Sequence, residues 1–205
     1  MLKYLLMEAI SKVENKEQSH RPNELVEIVT LDPTIKLDIR YATKNNFLER
    51  PVYKLPKAYL QKPVLEALVR VNKEIKNSGY GLFVFDGYRP WSVTKLFWDE
   101  IEVSKRKFVA DPKTGSIHNR GCAVDLTLYE LSSGKEVKMP CEYDTFSEEA
   151  YPSYIGGTDE ERKKRDFLIK AMKKEGFTVH PNEWWHYDHK DCKLYSILDI
   201  PFEDL

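Results

Sequence analysis

The chain has 205 residues, and its 32 Lys+Arg stand against 33 Asp+Glu for a formal net charge of −1. That balance removes the electrostatic case for nucleic acid or an anionic membrane surface as partner, and no apolar run approaches the ~20 residues that cross a bilayer. Hydrophobic residues make up 41%, enough for one sizeable core, so residues 25–205 read as a single domain behind a lead-in of residues 1–24.

In chain order, residues 1–12 have the spacing of a short amphipathic helix. Glu8 breaks their apolar run and no small-residue cleavage site follows, so they do not read as a signal peptide. Three cysteines, Cys122, Cys141 and Cys192, are too few and too odd for a disulfide framework and fit a reducing compartment. The expected location is therefore cytoplasmic. Residues 14–24 are polar and read as a flexible lead-in. Val26, Ile28, Leu37 and Ile39 mark one or two short strands between Leu25 and Arg40. Tyr41 to Leu55 reads as a long loop of the kind that often carries function.

Leu60, Val64, Leu65, Leu68, Val71 and Ile75 fall at helical spacing over 57–77, with Gly79 as terminator. Tyr80 to Phe85 is a buried strand. Asp86-Gly87-Tyr88-Arg89-Pro90 turns the chain, and Pro90 suits the first turn of a helix over 91–107. Gly121 to Leu128 is a second buried strand, and 131–157 is turn and loop. Thr158 and Glu161 form a capping box that opens a helix to about Lys174, closed by Gly176. Phe177–His180 and Trp184–Asp188 are short strands around a Pro181-Asn182 turn. Without regular βαβ alternation, α+β is the fold class.

Two segments carry the chemistry: Ser116-Ile117-His118-Asn119-Arg120-Gly121-Cys122-Ala123-Val124-Asp125 and Glu183-Trp184-Trp185-His186. They supply two imidazoles, one carboxylate ligand and a spare carboxylate, the inventory of a zinc site with an open position for water. A closed structural zinc site would use cysteines in CxxC pairs, and none occurs. On the second strand Asp125 shares a face with Ala123 and Thr127, opposite the apolar Cys122, Val124, Leu126 and Leu128. An unpaired charge there is costly, and a cation answers it.

Each piece alone also has a plainer account. His118-x6-Asp125 is satisfied by a surface imidazole and a paired carboxylate. Glu183-Trp184-Trp185-His186 fits a surface loop with two core tryptophans as well as a site that the tryptophans wall off from water. His20, His180 and His189 compete with His186 as ligands, and His186 is preferred because it faces the point at which Glu183 also aims. Cys122 reads as a buried inert thiol before it reads as a ligand or nucleophile. Arg89, fixed by Pro90, either stabilises an oxyanion or grips a carboxylate, or clasps Asp86.

Taken together, Asp38-Ile39-Arg40-Tyr41-Ala42-Thr43, Asn46-Phe47, Gly79-Tyr80-Gly81-Leu82, Asp86-Gly87-Tyr88-Arg89-Pro90, Ser116 through Leu128 and Glu183-Trp184-Trp185-His186-Tyr187 resemble the D-alanyl-D-alanine dipeptidases, within the wider group of D-Ala-D-Ala carboxypeptidases and hedgehog-like proteins. The resemblance covers roughly residues 25–200. It implies an α+β domain with a central, mostly antiparallel sheet flanked by helices. It implies one Zn²⁺ held by His118, Asp125 and His186, Glu183 as catalytic base and Arg89 as stabiliser of the tetrahedral intermediate. Ser116 and Tyr41 match motifs that line the substrate site, and Asp144 looks like the residue that receives the substrate's free amino group. The substrate would be a small dipeptide, D-alanyl-D-alanine or a relative.

The chain departs from the pattern at Cys122, where Ser or Ala is usual, in the short loop from Lys105 to Gly115, and at 147–157. The first 24 residues have no counterpart. Two alternatives share the fold: a D,D-carboxypeptidase acting on longer cell-wall peptides, and a non-catalytic zinc-binding module. A binding module needs neither Glu183 nor Arg89, and this chain has both.

Overall fold

The structure, a computed structural model, describes residues 20–205. The helix expected over 1–12, and most of the lead-in, lie outside the described residues. The end of the lead-in is not loose. The Arg21 amide donates to the Leu194 carbonyl at 2.7 Å, and Gln61 both accepts from the Glu24 amide and donates to Asn23 Oδ1.

The elements are β1 (Leu25–Glu27), α1 (Ile28–Leu31), β2 (Lys36–Leu37), β3 (Tyr59–Gln61), α2 (Lys62–Lys76), β4 (Tyr80–Asp86), α3 (Trp91–Glu100), β5 (Ala123–Glu130), α4 (Asp159–Lys174), β6 (Phe177–His180) and β7 (Glu183–His189). Five strands form one sheet in the order β2-β4-β5-β7-β6, and β1 pairs with β3 in a second, two-stranded sheet. Only the β2–β4 pairing is parallel. The α+β class with a mostly antiparallel central sheet is therefore as read from sequence.

Three boundaries differ from that reading, each for a local reason. The strand signal of 25–40 is interrupted by the single-turn helix α1. The helix of 57–77 starts at Lys62, because Tyr59–Gln61 pair with β1 and Pro63 sits in the first helical turn, where its missing N–H costs nothing. The helix of 91–107 stops at Glu100. Ile101 is extended at ψ 144° and buried, and Val103–Phe108 continue as a 3-10 turn.

The capping box of α4 forms as expected: Thr158 Oγ1 accepts from the Glu161 amide, and Glu161 Oε2 accepts from the Thr158 amide. Leu65, Leu68 and Val71 of α2 and Leu168 and Met172 of α4 join Val124, Leu126 and Leu128 of β5 in the main buried cluster. Each fully buried aliphatic side chain contributes about 1.5–3 kcal/mol of transfer free energy. β5 lies at the centre of the sheet, so its other face is covered as well, and Ala123, Asp125 and Thr127 are also buried.

Candidate active site

The central strands bring carboxylate and imidazole into one row. In the β4–β5–β7 register, Asp125 lies directly opposite Asp86 on one side and His186 on the other. An irregularity between Val84 and Asp86 brings the Asp86 carboxylate into the row. A second irregularity, between Val179 and His180, breaks the strict alternation at the start of β7. Glu183, Trp185, His186 and Asp188 consequently all line one cleft. Trp184 does not join them. It is buried behind the sheet, its Nε1 donating to Cys141 Sγ at 3.3 Å, so only one of the two tryptophans walls the site.

His118 arrives from a 3-10 turn, Ile117–Arg120. Ser116 Oγ accepts from the His118 amide at 3.2 Å, and Asn119 Oδ1 accepts from the Ser116 amide at 2.7 Å. Asn119 also donates to the Arg89 carbonyl and Thr94 Oγ1, which stitches this turn to the Asp86–Pro90 loop. Gly121 ends the turn in the left-handed region at φ +66°, where a Cβ is disfavoured.

The three ligand atoms read from sequence meet in space. His118 Nε2 lies 3.1 Å from His186 Nδ1 and 3.2 Å from Asp125 Oδ1, and His186 Nδ1 lies 3.0 Å from Asp125 Oδ1. Bonds of ~2.0–2.1 Å in a tetrahedral zinc site set ligand atoms about 3.3 Å apart, close to these three edges. The proton positions point the same way. His118 Nδ1 faces the Gly87 carbonyl at 2.7 Å and donates to it, so in the neutral ring Nε2 carries the lone pair. His186 Nε2 faces Asp188 Oδ1 at 2.9 Å and donates to it, so in the neutral ring Nδ1 carries the lone pair; the carboxylates of Asp125 and Asp188 on either side favour a second proton, which a metal ion would displace. Asp125 Oδ1 is buried, and the two ring nitrogens at 3.2 and 3.0 Å approach it without a well-aligned hydrogen bond. With both rings neutral, three lone pairs turn on one point, an arrangement that a cation stabilises. The donor set fits a divalent metal ion of the zinc type.

The remaining charged groups surround this triangle. Glu183 Oε2 lies 3.6 Å from His186 Nδ1, and burial, assisted by Asp125, pushes its carboxyl up to about 7. Arg89 settles between the two roles open to it. Its Nε and Nη2 donate to Asp86 Oδ2 at 3.0 and 2.9 Å, while Nη2 stands 3.8 Å from Asp125 Oδ2 and the guanidinium lines the cleft. Asp86 Oδ1 accepts from Tyr53 Oη and the Gly87 amide, so the clasp is fully bonded and holds Arg89 at the edge of the triangle.

Tyr41 and Asp144 close another wall. The Tyr41 hydroxyl donates to Asp144 at 3.0 Å (Oδ2) and 3.2 Å (Oδ1). The Asp144 backbone is left-handed at φ +59°, a conformation that Asp tolerates better than most residues. Burial, reinforced by the charge of Asp125, pushes the Asp144 carboxyl up to about 8. The cleft encloses about 260 Å³.

All eight site residues read from sequence line this one cleft: His118, Asp125, His186, Glu183, Arg89, Ser116, Tyr41 and Asp144. Cys122 lies on the apolar face, its thiol pushed far up by burial. His189 packs its ring against Phe177. Sequence reasoning missed Asp188 and Tyr143, and it set His180 aside. Tyr143 Oη donates to Asp125 Oδ2 at 3.0 Å, and the His180 ring stands 5.2 Å from that of His186. Asp188 had a usable signal, since residues two apart on a strand share a face.

Comparison with known proteins identifies the family. The sequence profile of the D-ala-D-ala dipeptidase family matches residues 21–202. A D-alanyl-D-alanine dipeptidase of Enterococcus faecium is 31% identical over 189 residues, covering 82% of this chain and 92% of that protein. One from Escherichia coli is 27% identical over 179 residues, covering 87% and 91%. Among solved structures, the LdcB LD-carboxypeptidase superposes with a TM-score of 0.46 at 20% identity, covering 85% of this chain and 73% of that one. The family match spans nearly the whole described chain, and the chain belongs to the D-ala-D-ala dipeptidase family of peptidases.

Proposed function

We propose that the protein is a zinc-dependent dipeptidase that hydrolyses D-alanyl-D-alanine or a closely related free dipeptide. The observation that carries this reading is the triangle of His118 Nε2, His186 Nδ1 and Asp125 Oδ1, three possible metal-ligand atoms within 3.2 Å of one another in a cleft that also presents Glu183. One zinc ion held by these three residues would supply Lewis acidity and lower the pKa of a water towards ~7.

The chain's own groups divide the remaining work. Glu183 Oε2, beside the triangle, accepts the proton of the attacking water and returns it to the leaving amine. Arg89, held charged by Asp86, faces the oxygen on which negative charge develops. Asp144, steadied by Tyr41, receives the substrate ammonium. Ser116 holds His118 through its backbone and borders the cleft. Trp185 excludes water from one side. A zwitterionic dipeptide matches a small cleft that presents both an acidic and a basic side chain.

Purified protein should contain about one zinc per chain by elemental analysis and cleave D-Ala-D-Ala. Glu183→Gln should retain the metal and lose most turnover, on the order of the hundred- to ten-thousand-fold that general acid–base catalysis contributes. Zinc near zero in the wild type, or near-normal turnover in Glu183→Gln, overturns the assignment. Equal kcat/KM for D-Ala-D-Ala, its N-acetyl form and a pentapeptide would replace the dipeptidase with a carboxypeptidase.

A further inference from the structure

We propose that Asp188 is a positioning residue for the metal centre: its carboxylate holds the Nε2–H of His186, so that Nδ1 is turned to the metal, and sets a negative charge behind that ligand. The inference rests on the metal reading above and adds to it a residue outside the ligand set.

The geometry is that of a strand. His186 and Asp188 lie two residues apart in β7 and share its cleft-facing side. Asp188 Oδ1 meets His186 Nε2 at 2.9 Å. That nitrogen is on the far side of the ring from Nδ1, the atom that faces Asp125 and His118. Asp188 therefore stands behind the imidazole, outside the ligand triangle, and acts through His186.

Its surroundings give it no other task. In register, Asp188 lies opposite Ala123 of β5 and Thr178 of β6, neither of which is charged. Among the described residues His186 is its one ion-pair partner, and no Lys or Arg pairs with it. Its side chain is 31% exposed, so the carboxylate is partly withdrawn from water for a single hydrogen bond.

The two imidazoles are thus held differently. His118 donates to a neutral carbonyl, that of Gly87, and His186 donates to a carboxylate. An anionic acceptor makes the imidazole the more basic ligand, and such partners commonly tune metal affinity 10–100-fold. With both imidazoles neutral, Asp125 is the one anion among the three ligands, and Asp188 adds a negative charge directly behind one of them. In the wrong tautomer, His186 would point a proton at Asp125 Oδ1 and close the site.

The test uses Asp188→Ala and Asp188→Asn in the full chain. Zinc affinity is measured by competition with a chelator. The His186 tautomer is read by ¹⁵N-resolved ring spectra in metal-free protein, at a pH high enough to hold the ring neutral, and thermal unfolding of the metal-free variants checks the fold. Asp188→Ala should weaken zinc binding about 10–100-fold and let His186 populate the other tautomer. Asp188→Asn, which keeps the acceptor and loses the charge, should fall between it and wild type. Unchanged affinity with an unchanged tautomer in well-folded Asp188→Ala overturns the inference. Were the wild type to bind no zinc, the proposed function would fall separately. The metal-free ring spectra would then decide this inference alone, sustained by a changed tautomer and overturned by an unchanged one.

Discussion

Asp144 offers a test in which stability and specificity are read from one substitution. Burial, reinforced by Asp125, displaces its carboxyl from 3.8 to about 8. Between those values the folded protein holds a proton that the unfolded chain has released. Folding stability therefore falls as pH rises through this window, and the whole penalty is present above about 8. At ~1.4 kcal/mol per pH unit, a displacement of about four units caps the penalty near ~5 kcal/mol, and the site's residual solvent contact lowers it to about 2–5 kcal/mol. Asp144→Asn keeps the shape and cannot ionise. In metal-free protein, urea unfolding from pH 5 to 9 spans about three of the four units and should show the variant gaining on wild type by about 2–4 kcal/mol. A difference that stays flat across the window refutes the reasoning. The functional arm follows from the same carboxylate. A substrate ammonium compensates an ionised Asp144, so Asp144→Asn should lower kcat/KM for the free dipeptide far more than for its N-acetyl form, by as much as ~10⁴ in favourable cases. An equal loss on both substrates would remove Asp144 from amine recognition.

Two further substitutions test how the ligands are placed. Gly121→Ala puts a Cβ at φ +66°, 2.5 Å from Leu25 Cδ2 and 3.3 Å from the Gln61 amide nitrogen. The left-handed backbone alone costs about 1–2 kcal/mol, so thermal unfolding should move down and zinc affinity should fall as the His118 turn shifts; unchanged values for both would contradict this. Cys122→Ala removes a fully buried sulfur on the apolar face, and the expected outcome is about 1 kcal/mol of lost stability with turnover intact. Loss of turnover with zinc retained would give the thiol a role that the structure denies it.

What was legible in the sequence is what local rules govern. Thr158 and Glu161 announce their capping box, the run Tyr80–Phe85 announces a buried strand, and the alternation around Asp125 separates its face from that of Val124. The departures occur where distant segments compete with local preference. Leu60 fits a helical stripe, yet Tyr59–Gln61 serve as the partner strand of β1, a pairing that no window around Leu60 contains. Trp184 and Trp185 look equivalent as neighbours in sequence. Both are buried in the core, yet across the irregularity between β6 and β7 only Trp185 also lines the cleft, and register is set by the partner strand as much as by the strand itself. The opposition of Asp125 and His186 is likewise a property of the β5–β7 pairing. The sequence offers both residues but contains no local sign that they face each other.

The two halves of the site are built on different supports. Asp125 and His186 stand on adjacent central strands, His118 on a turn bonded to the neighbouring loop, and Arg89 is gripped by a carboxylate that itself accepts from Tyr53 and Gly87. Strands paired on both sides hold side chains with little freedom, as ligand geometry requires. Tyr41 and Asp144, assigned here to the substrate amine, come instead from a 3-10 turn and a loop residue of positive φ. Loops tolerate change that paired strands do not. Substitution in the segments around Tyr41 and Asp144 should therefore shift which substrates are accepted while leaving metal affinity in place, whereas substitution along the Asp86–Asp125–His186 row should disturb the metal and the rate together.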